Sequence, residues 1–409
     1  MNKNSLFSVK YDEGLSGVMY KSFLLKRRIM LCLATYGDLP TAELARHLNV
    51  SAPTVAKLIQ ELVGDGYLCD MGKIETAGGR RPSTFGLVAN AGHFLGVDLR
   101  DDSVNLGLID LNKNIVSISK NNPFTVEERP ETLENLCSMI DDYIASLHFD
   151  KSQILGMGLI LRGRVDSSTG HSYNHFKFDS RPLAQTMTQM TGIETIIEND
   201  TRAMAYAEYT HSDTENIKNA LFINMTRGVG VGIVIDGKLY YGKSGFAGEF
   251  GHIPFFDNEM ICHCGKKGCL ETEASGAALE QKFTQSLSRG ASSILSDKFR
   301  RGEKIHLVDI IEAARKDDVL SIDLITVIGE KLGRGIGVLI NLFNPELVVV
   351  GGIMAEVGDY LMLPIKTALN KYSLSLVNKD STLRLSTLGD LAGVIGAAQL
   401  TRNRILEIM

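Results

Sequence analysis

Residues 96–116, GVDLRDDSVNLGLIDLNKNIV, and residues 222–242, FINMTRGVGVGIVIDGKLYYG, share one organisation. Each runs from an apolar strand through a tight polar or glycine-bearing turn to a second apolar strand. A further short turn then leads to a third strand. Around the first stretch the strands are expected over Phe94–Leu99, Ser103–Asp110 and Ile115–Lys120. Around the second they are expected over Ala220–Asn224, Gly230–Ile235 and Lys238–Tyr241. A helix near Pro130–Leu147, a buried strand Ile154–Ile160 and a short strand Thr195–Glu198 complete the first repeat. A helix beginning at Asp200 follows. Two such α/β lobes imply a cleft, and clefts between domains are where small ligands usually bind.

At 409 residues the chain exceeds what one hydrophobic core usually holds. No stretch reaches the ~18–20 uninterrupted apolar residues that span a bilayer, so no membrane insertion is expected. The start, MNKNSLFSVKYDEG, lacks the apolar run of a secretory signal, which makes a cytoplasmic location the expectation. The net charge of −5 is unevenly spread. Residues 15–90 carry nine Lys/Arg against six Asp/Glu, and residues 91–409 carry 32 against 40. A basic module on an acidic body suits a nucleic-acid partner.

Residues 1–14 are polar and expected to be loosely ordered. From Ser16 to Tyr36 the apolar positions, among them Val18, Phe23, Ile29 and Leu33, fit a helix that ends at Gly37. Thr41 is placed as the N-cap of a second helix to Leu48, and Asn49-Val50-Ser51 makes the turn. A third helix runs from Ala52 to Val63 with Pro53 in its first turn, where a missing N–H costs least. Its Val55, Leu58, Ile59 and Leu62 face inward. Ser51, Thr54, Lys57 and Gln60 recur on the opposite face as candidate contacts to phosphates and base edges of operator DNA. Two strands, around Tyr67–Cys69 and Thr84–Leu87, then flank a hairpin tip bearing Arg80 and Arg81. Two adjacent arginines at a loop tip suit an anionic duplex. Residues 15–90 are therefore expected to form a winged helix-turn-helix.

Three of the six cysteines, Cys262, Cys264 and Cys269, lie within eight residues. In a reducing compartment such clustering suggests a metal rather than disulfides. Three thiolates and one imidazole complete a tetrahedral structural zinc site, and Gly265 and Gly268 let the short loop wrap the ion. His252 and His263 compete for the nitrogen position. His252 is preferred, because a side chain between two ligand cysteines is expected to point outward.

The passage Gly248-Glu249-Phe250-Gly251-His252, continuing to the C-x-C-G-x-x-G-C-x-E run of Cys262–Glu271, resembles the repressor–open reading frame–kinase (ROK) family over essentially the whole chain. The resemblance implies an actin/hexokinase-like, ribonuclease-H-like sensor, with lobe 1 over residues 91–210 and lobe 2 over residues 211–409. A final helix, about residues 393–404, is expected to return to lobe 1. It also implies one structural Zn2+ per chain on His252, Cys262, Cys264 and Cys269. Sugar hydroxyls would be held by Gly163, Asn199, Asp200, Glu249, His252 and Glu271. Independently of family, Asn199-Asp200 also reads as an N-cap pair for the helix that follows.

Family kinases use an aspartate at the position of Asp200 as the base that takes the proton of the attacking sugar hydroxyl. This chain departs from them elsewhere. Where their first phosphate loop reads roughly D-x-G-G-T, it has Asp98-Leu99-Arg100-Asp101-Asp102-Ser103, with Asp101 and Asp102 expected to repel ATP. Arg227 replaces a glycine of the second loop, and Gly351-Gly352 is taken as mainly structural. No catalytic residue is assigned. Arg162, Arg164 and Lys177 are read chiefly as solvated charge, with a sugar phosphate as the alternative ligand. The expected function is a sugar-responsive transcription regulator, in the repressor sense, with its effector in the interlobe cleft and a homodimer or dimer of dimers on operator DNA. The alternatives are an ATP-dependent sugar kinase and a repressor controlled by docking of a protein partner.

Overall fold

The N-terminal segment forms three helices and a small sheet. The computed structural model describes Leu6 and residues 17–73, 83–148, 150–211, 214 and 217–408. Helix α1 spans Gly17–Tyr36, α2 Thr41–Leu48 and α3 Ala52–Gly64. Ile29, Met30 and Leu33 of α1, Leu44 and Leu48 of α2, and Val55, Leu58, Ile59 and Leu62 of α3 are buried in one core. Leu24, counted with the apolar face from sequence, is instead exposed. Strand β1 (Leu39–Pro40) pairs antiparallel with β3 (Ser83–Leu87), which also pairs with β2 (Leu68–Lys73). Thr41 is not the N-cap of α2. The chain leaves β1 directly into the helix, Pro40 occupies the cap with extended backbone, and no side chain caps it. Asn49 ends α2 in the left-handed conformation that asparagine tolerates.

Both halves of the repeat noted in sequence build the same sheet. In the first, β4 (His93–Leu99), β5 (Ser103–Asp110) and β6 (Ile115–Pro123) form an antiparallel meander. After α4 (Pro130–Ser146), β7 (Ile154–Leu161) adds parallel to β4. The short strands β8 (Val165–Asp166) and β9 (His171–Ser172), then α5 (Leu183–Thr191), precede β10 (Thr195–Asn199), and the order is β10-β7-β4-β5-β6. In the second, α6 (Asp200–His211) precedes the meander of β11 (Ala220–Met225), β12 (Val229–Ile235) and β13 (Lys238–Leu239). Five helices precede β14 (Leu347–Gly351): α7 (Glu271–Ala274), α8 (Gly276–Ser288), α9 (Ser296–Arg300), α10 (Leu307–Ala314) and α11 (Val319–Phe343), and α12 (Asp359–Tyr372) lies beyond it. After α13 (Ser375–Asp380), β15 (Thr382–Leu385) closes the order β13-β12-β11-β14-β15, and α14 (Ala392–Ile405) ends the chain. The strand expected over Lys238–Tyr241 stops at Leu239.

Two compact units result: Met1–Glu198 with Ala397–Met409, and Asn199–Gly396. The division falls at Glu198/Asn199 rather than at 210/211. Helix α6 packs on β11 and β12, with Ala205, Phe222 and Val234 in one cluster, so it belongs with the strands that follow it.

In the first unit the N-terminal segment shares its core with the first sheet. Ile29 and Leu33 of α1, Phe94 of β4, Ile109 of β5 and Ala398 and Ile405 of α14 lie in one apolar cluster. At its edge sits Arg402, the largest fully buried side chain. Its Nε donates to Leu111 O at 2.6 Å, one terminal nitrogen to Asn403 Oδ1 at 2.7 Å, and the other to Ala34 O at 3.3 Å. A guanidinium can serve three acceptors in a plane, which explains why arginine sits there. Arg402→Met should lower stability by about 3 kcal/mol, near 1 kcal/mol for each buried bond lost, read as a reduced urea midpoint. An unchanged midpoint would show that the clasp adds nothing.

Candidate functional site

The loop after β13 wraps three sulfurs around one imidazole. Nδ1 of His252 lies 3.5 Å from Sγ of Cys262, and Sγ of Cys264 lies 3.7 Å from Sγ of Cys269. The four donor atoms of His252, Cys262, Cys264 and Cys269 are all within 4.8 Å of one another. Zinc–sulfur bonds of about 2.3 Å and a zinc–nitrogen bond of about 2.0 Å at tetrahedral angles require roughly 3.8 Å between sulfurs and 3.5 Å from sulfur to nitrogen. The residues therefore fit a tetrahedral cation. Burial pushes the Cys262 thiol up to about 12 and raises Cys269 as well. Cys264 lies below its usual value: burial opposes this, but the Lys266 N–H and the neighbouring thiols outweigh it.

His263 does not simply point outward. Its ring is largely exposed, yet Nδ1 lies 3.1 Å from Oε1 of Glu271 and 3.8 Å from Sγ of Cys262. His252, His263 and Glu271 thus form a second trio of potential ligands beside the first. The other ring nitrogen of His252 lies 4.0 Å from Oε2 of Glu249. One face of His252 meets the sulfurs and the other the carboxylate, the division that joins a metal to a ligand.

The remaining sugar candidates form two further groups. Gly163 belongs to the first unit and has φ +86°, and a Cβ there would lie 2.5 Å from Asn174. Asn174, missed in sequence, accepts from the Arg164 N–H at 2.9 Å. Asn199 and Asp200 open α6. Asn199 Oδ1 accepts the Arg202 N–H at 3.1 Å, and Asp200 Oδ1 accepts the Thr201 N–H at 2.8 Å and Asn199 Nδ2 at 3.1 Å. The capping role is thus present. The second glycine loop runs between this group and Glu271. A Cβ on Gly230 would lie 2.7 Å from Thr201 Oγ1, and one on Gly228 would lie 2.7 Å from Glu271 Oε2. Glu271 Oε2 also accepts the Val229 N–H at 3.0 Å. The glycines of this loop therefore make room for Thr201 and Glu271.

The first loop carries internal ion pairs. Asp98 is buried, and its Oδ2 accepts from Nε and a terminal nitrogen of Arg100 at 2.9 and 2.7 Å. Arg162, read from sequence chiefly as solvated charge, pairs with Asp101 at 2.5 Å, and both side chains remain partly exposed. In the second unit Arg227 pairs with Glu280 at 3.2 Å.

On α3, Ser51, Thr54, Lys57 and Gln60 are all exposed, and the hydroxyls of Ser51 and Thr54 share a hydrogen at 2.8 Å. Arg80 and Arg81 lie outside the described residues.

The sequence profile of the ROK family matches residues 94–404, and one described as winged helix-turn-helix DNA-binding matches residues 24–68. The chain belongs to the ROK family. It is similar to the N-acetylglucosamine repressor of Escherichia coli O6:H1, 28% identical over 91% of this chain and 90% of that one. It is also similar to a glucokinase of Halalkalibacterium halodurans, 33% identical over 66% and 83%. A solved ROK family transcriptional regulator, described as a homolog of the E. coli MLC protein, superposes with a TM-score of 0.76 at 26% identity, covering 94% of this chain and 97% of that one. The ROK fold, with its two mixed sheets, therefore follows a winged helix-turn-helix here. Among the described residues no helix is long and apolar enough to cross a membrane.

Gly248 holds the approach to Glu249. It has φ +92°, and a Cβ there would lie 2.0 Å from Val231 O. Gly248→Ala should therefore lower the thermal midpoint by several degrees, a cost of about 2–3 kcal/mol from strain and overlap. A variant melting with the wild type would refute this.

Proposed function

We propose that this chain is a sugar-responsive transcription repressor: α3 docks on operator DNA, and a sugar or sugar phosphate is the effector. The observation that carries this reading is the co-occurrence, in one ROK chain, of a helix face presenting Ser51, Thr54, Lys57 and Gln60 with a second group of hydroxyl-binding side chains, Asn199, Asp200, Glu249, His252 and Glu271. Arg80 and Arg81 are proposed to join the DNA contact. The protein acts in the cytoplasm as a homodimer, or a dimer of dimers, on paired half-sites.

Each sugar-binding side chain has a distinct chemical role. Carboxylates of Asp200, Glu249 and Glu271 accept from hydroxyls, and the Asn199 amide can donate and accept. His252, Cys262, Cys264 and Cys269 would hold Zn2+, which supplies a cross-link for the loop and fixes the His252 ring. The sugar shifts DNA affinity only by its differential affinity for two conformations, typically ~1–3 kcal/mol, or roughly 5–150-fold.

Kinase activity is not part of this reading. Arg100 in place of a loop glycine sets a side chain where backbone N–H groups would need to face phosphate, and it already neutralises Asp98. The kinase alternative rests on the 33% identity with a glucokinase.

Thermal unfolding against hexoses, pentoses, N-acetylhexosamines and their phosphates, each with and without Mg-ATP, tests the reading. Stabilisation by one sugar class, unaffected by ATP, is the expected outcome. Stabilisation only with ATP, with ADP formed, would replace it with the kinase. Elemental analysis should find one zinc per chain, and Cys264→Ser should lose zinc and melt earlier; full metal content in that variant would remove Cys264 from the ligand set. On DNA selected from random sequence, Lys57→Ala should weaken binding uniformly and reduce the slope of log affinity against log salt by about one. An unchanged slope would take Lys57 off the phosphate backbone.

A further inference from the structure

Arg202 occupies the first turn of α6, two residues after Asp200, and is 3% exposed. Its backbone N–H donates to the side chain of Asn199 at 3.1 Å. Its guanidinium reaches a different part of the chain. One terminal nitrogen donates to Gly245 O at 2.5 Å, and the guanidinium carbon lies 5.3 Å from the centre of the Tyr241 ring. Gly245 and Tyr241 belong to the strap that leads from β13 to Glu249. Ala247 N–H closes that strap on Tyr241 O at 3.2 Å, and Val231 N–H fastens its end to Gly248 O at 3.2 Å. Glu249 follows immediately, with Phe250 beyond it anchored in the core and His252 two residues further.

The strap is thus held on two sides. Backbone bonds to β12 fix its end, and Arg202 ties its middle to the residues that open α6. We infer that Arg202 is a positioning residue that sets Glu249 and His252 against Asn199 and Asp200 for effector binding. This rests on the sugar-sensor reading of those four residues. Arginine suits the task because its planar fork can donate to a carbonyl while its face lies on an aromatic ring. Lysine carries the charge but can do only one of these well. The side chain itself touches no ligand in this assignment; it acts through the strap.

The test uses the full-length zinc-loaded protein and Arg202→Lys, with Arg202→Met as a second variant of similar length. The sugar panel above first establishes which sugar the wild type binds, and calorimetry with that sugar follows. Arg202→Lys should bind it roughly 10–100-fold more weakly, the loss typical of removing a hydrogen bond from a charged donor. Zinc content and affinity for DNA without sugar should stay at the wild-type level, which a general loss of structure would not allow. Hydrogen exchange on the ligand-free protein should show the amides of residues 242–247 exchanging faster in both variants, with those of β11 and β12 unchanged. Wild-type sugar affinity in Arg202→Lys, or an unaltered strap exchange, would overturn the positioning role and leave the sensor reading standing. A wild-type protein that binds no sugar of the panel would overturn the sensor reading, and this inference with it.

Discussion

Three cysteine sulfurs and an imidazole nitrogen lie within 4.8 Å of one another, a spacing at which three thiolates would repel without a cation between them. A cation at the centre would draw these donors together, and the proposed zinc would link several polar groups of the second unit. The loop from Cys262 to Cys269 is held by isolated bridges, Ile261 to Lys267 and Pro254 to Cys269, and by short-range backbone bonds such as Cys262 N–H to Lys266 O at 2.8 Å. Glu271, next but one to the last cysteine, supplies the acceptor for Val229 N–H at the entrance of β12. His252 stands between the sulfurs and Glu249. A proposed zinc would therefore order three hydroxyl-binding side chains at once, using bonds stronger than any the loop makes by itself.

Legibility in the sequence tracked the range of the interactions involved. Helices α2 and α3 were readable because Val55, Leu58, Ile59 and Leu62 repeat at helical spacing and Asn49 can turn left-handed. The duplicated meander was readable because strand, turn and strand are local. The resemblance to ROK proteins pointed to the cysteine loop as a unit. What failed was set by contacts distant in sequence. Thr41 looks like a cap, but pairing of Leu39 and Pro40 with β3, more than forty residues on, commits the chain to enter the helix differently. Nothing local to Arg402 signals its burial, which its acceptors at Leu111 and Ala34, far off in the sequence, help to explain. Neither the pairing of Arg162 with Asp101 nor the attachment of α6 to the second sheet has any local signature.

The first loop also shows how charges that read singly in sequence are met in pairs in the fold. Asp101 and Asp102 suggested repulsion of a polyphosphate. In the structure Arg162 pairs with Asp101 at 2.5 Å. Arg100 closes the turn through its own N–H to Ser103 O at 2.9 Å and gives two hydrogen bonds to the buried Asp98. Hydrogen bonds between ionised partners are roughly twice as strong as neutral ones, so the Arg100–Asp98 pair helps to hold this turn.

Attachment of the DNA-binding segment constrains how an effector can act. Had α1 been joined to the sensor by a slack linker, a ligand could alter DNA binding only by changing how often two tethered heads meet a half-site. Here α1, β4, β5 and α14 share one apolar core, Arg402 bonds to α1 and to the turn after β5, and Arg27 pairs with Glu407 at 2.9 Å. Well-packed cores deform in discrete steps rather than continuously. A change in the first sheet must therefore either move α3 as a body or break this core at a cost well above the ~1–3 kcal/mol typical of coupling between sites. Rigid movement of α3 together with the first sheet is the less costly of the two.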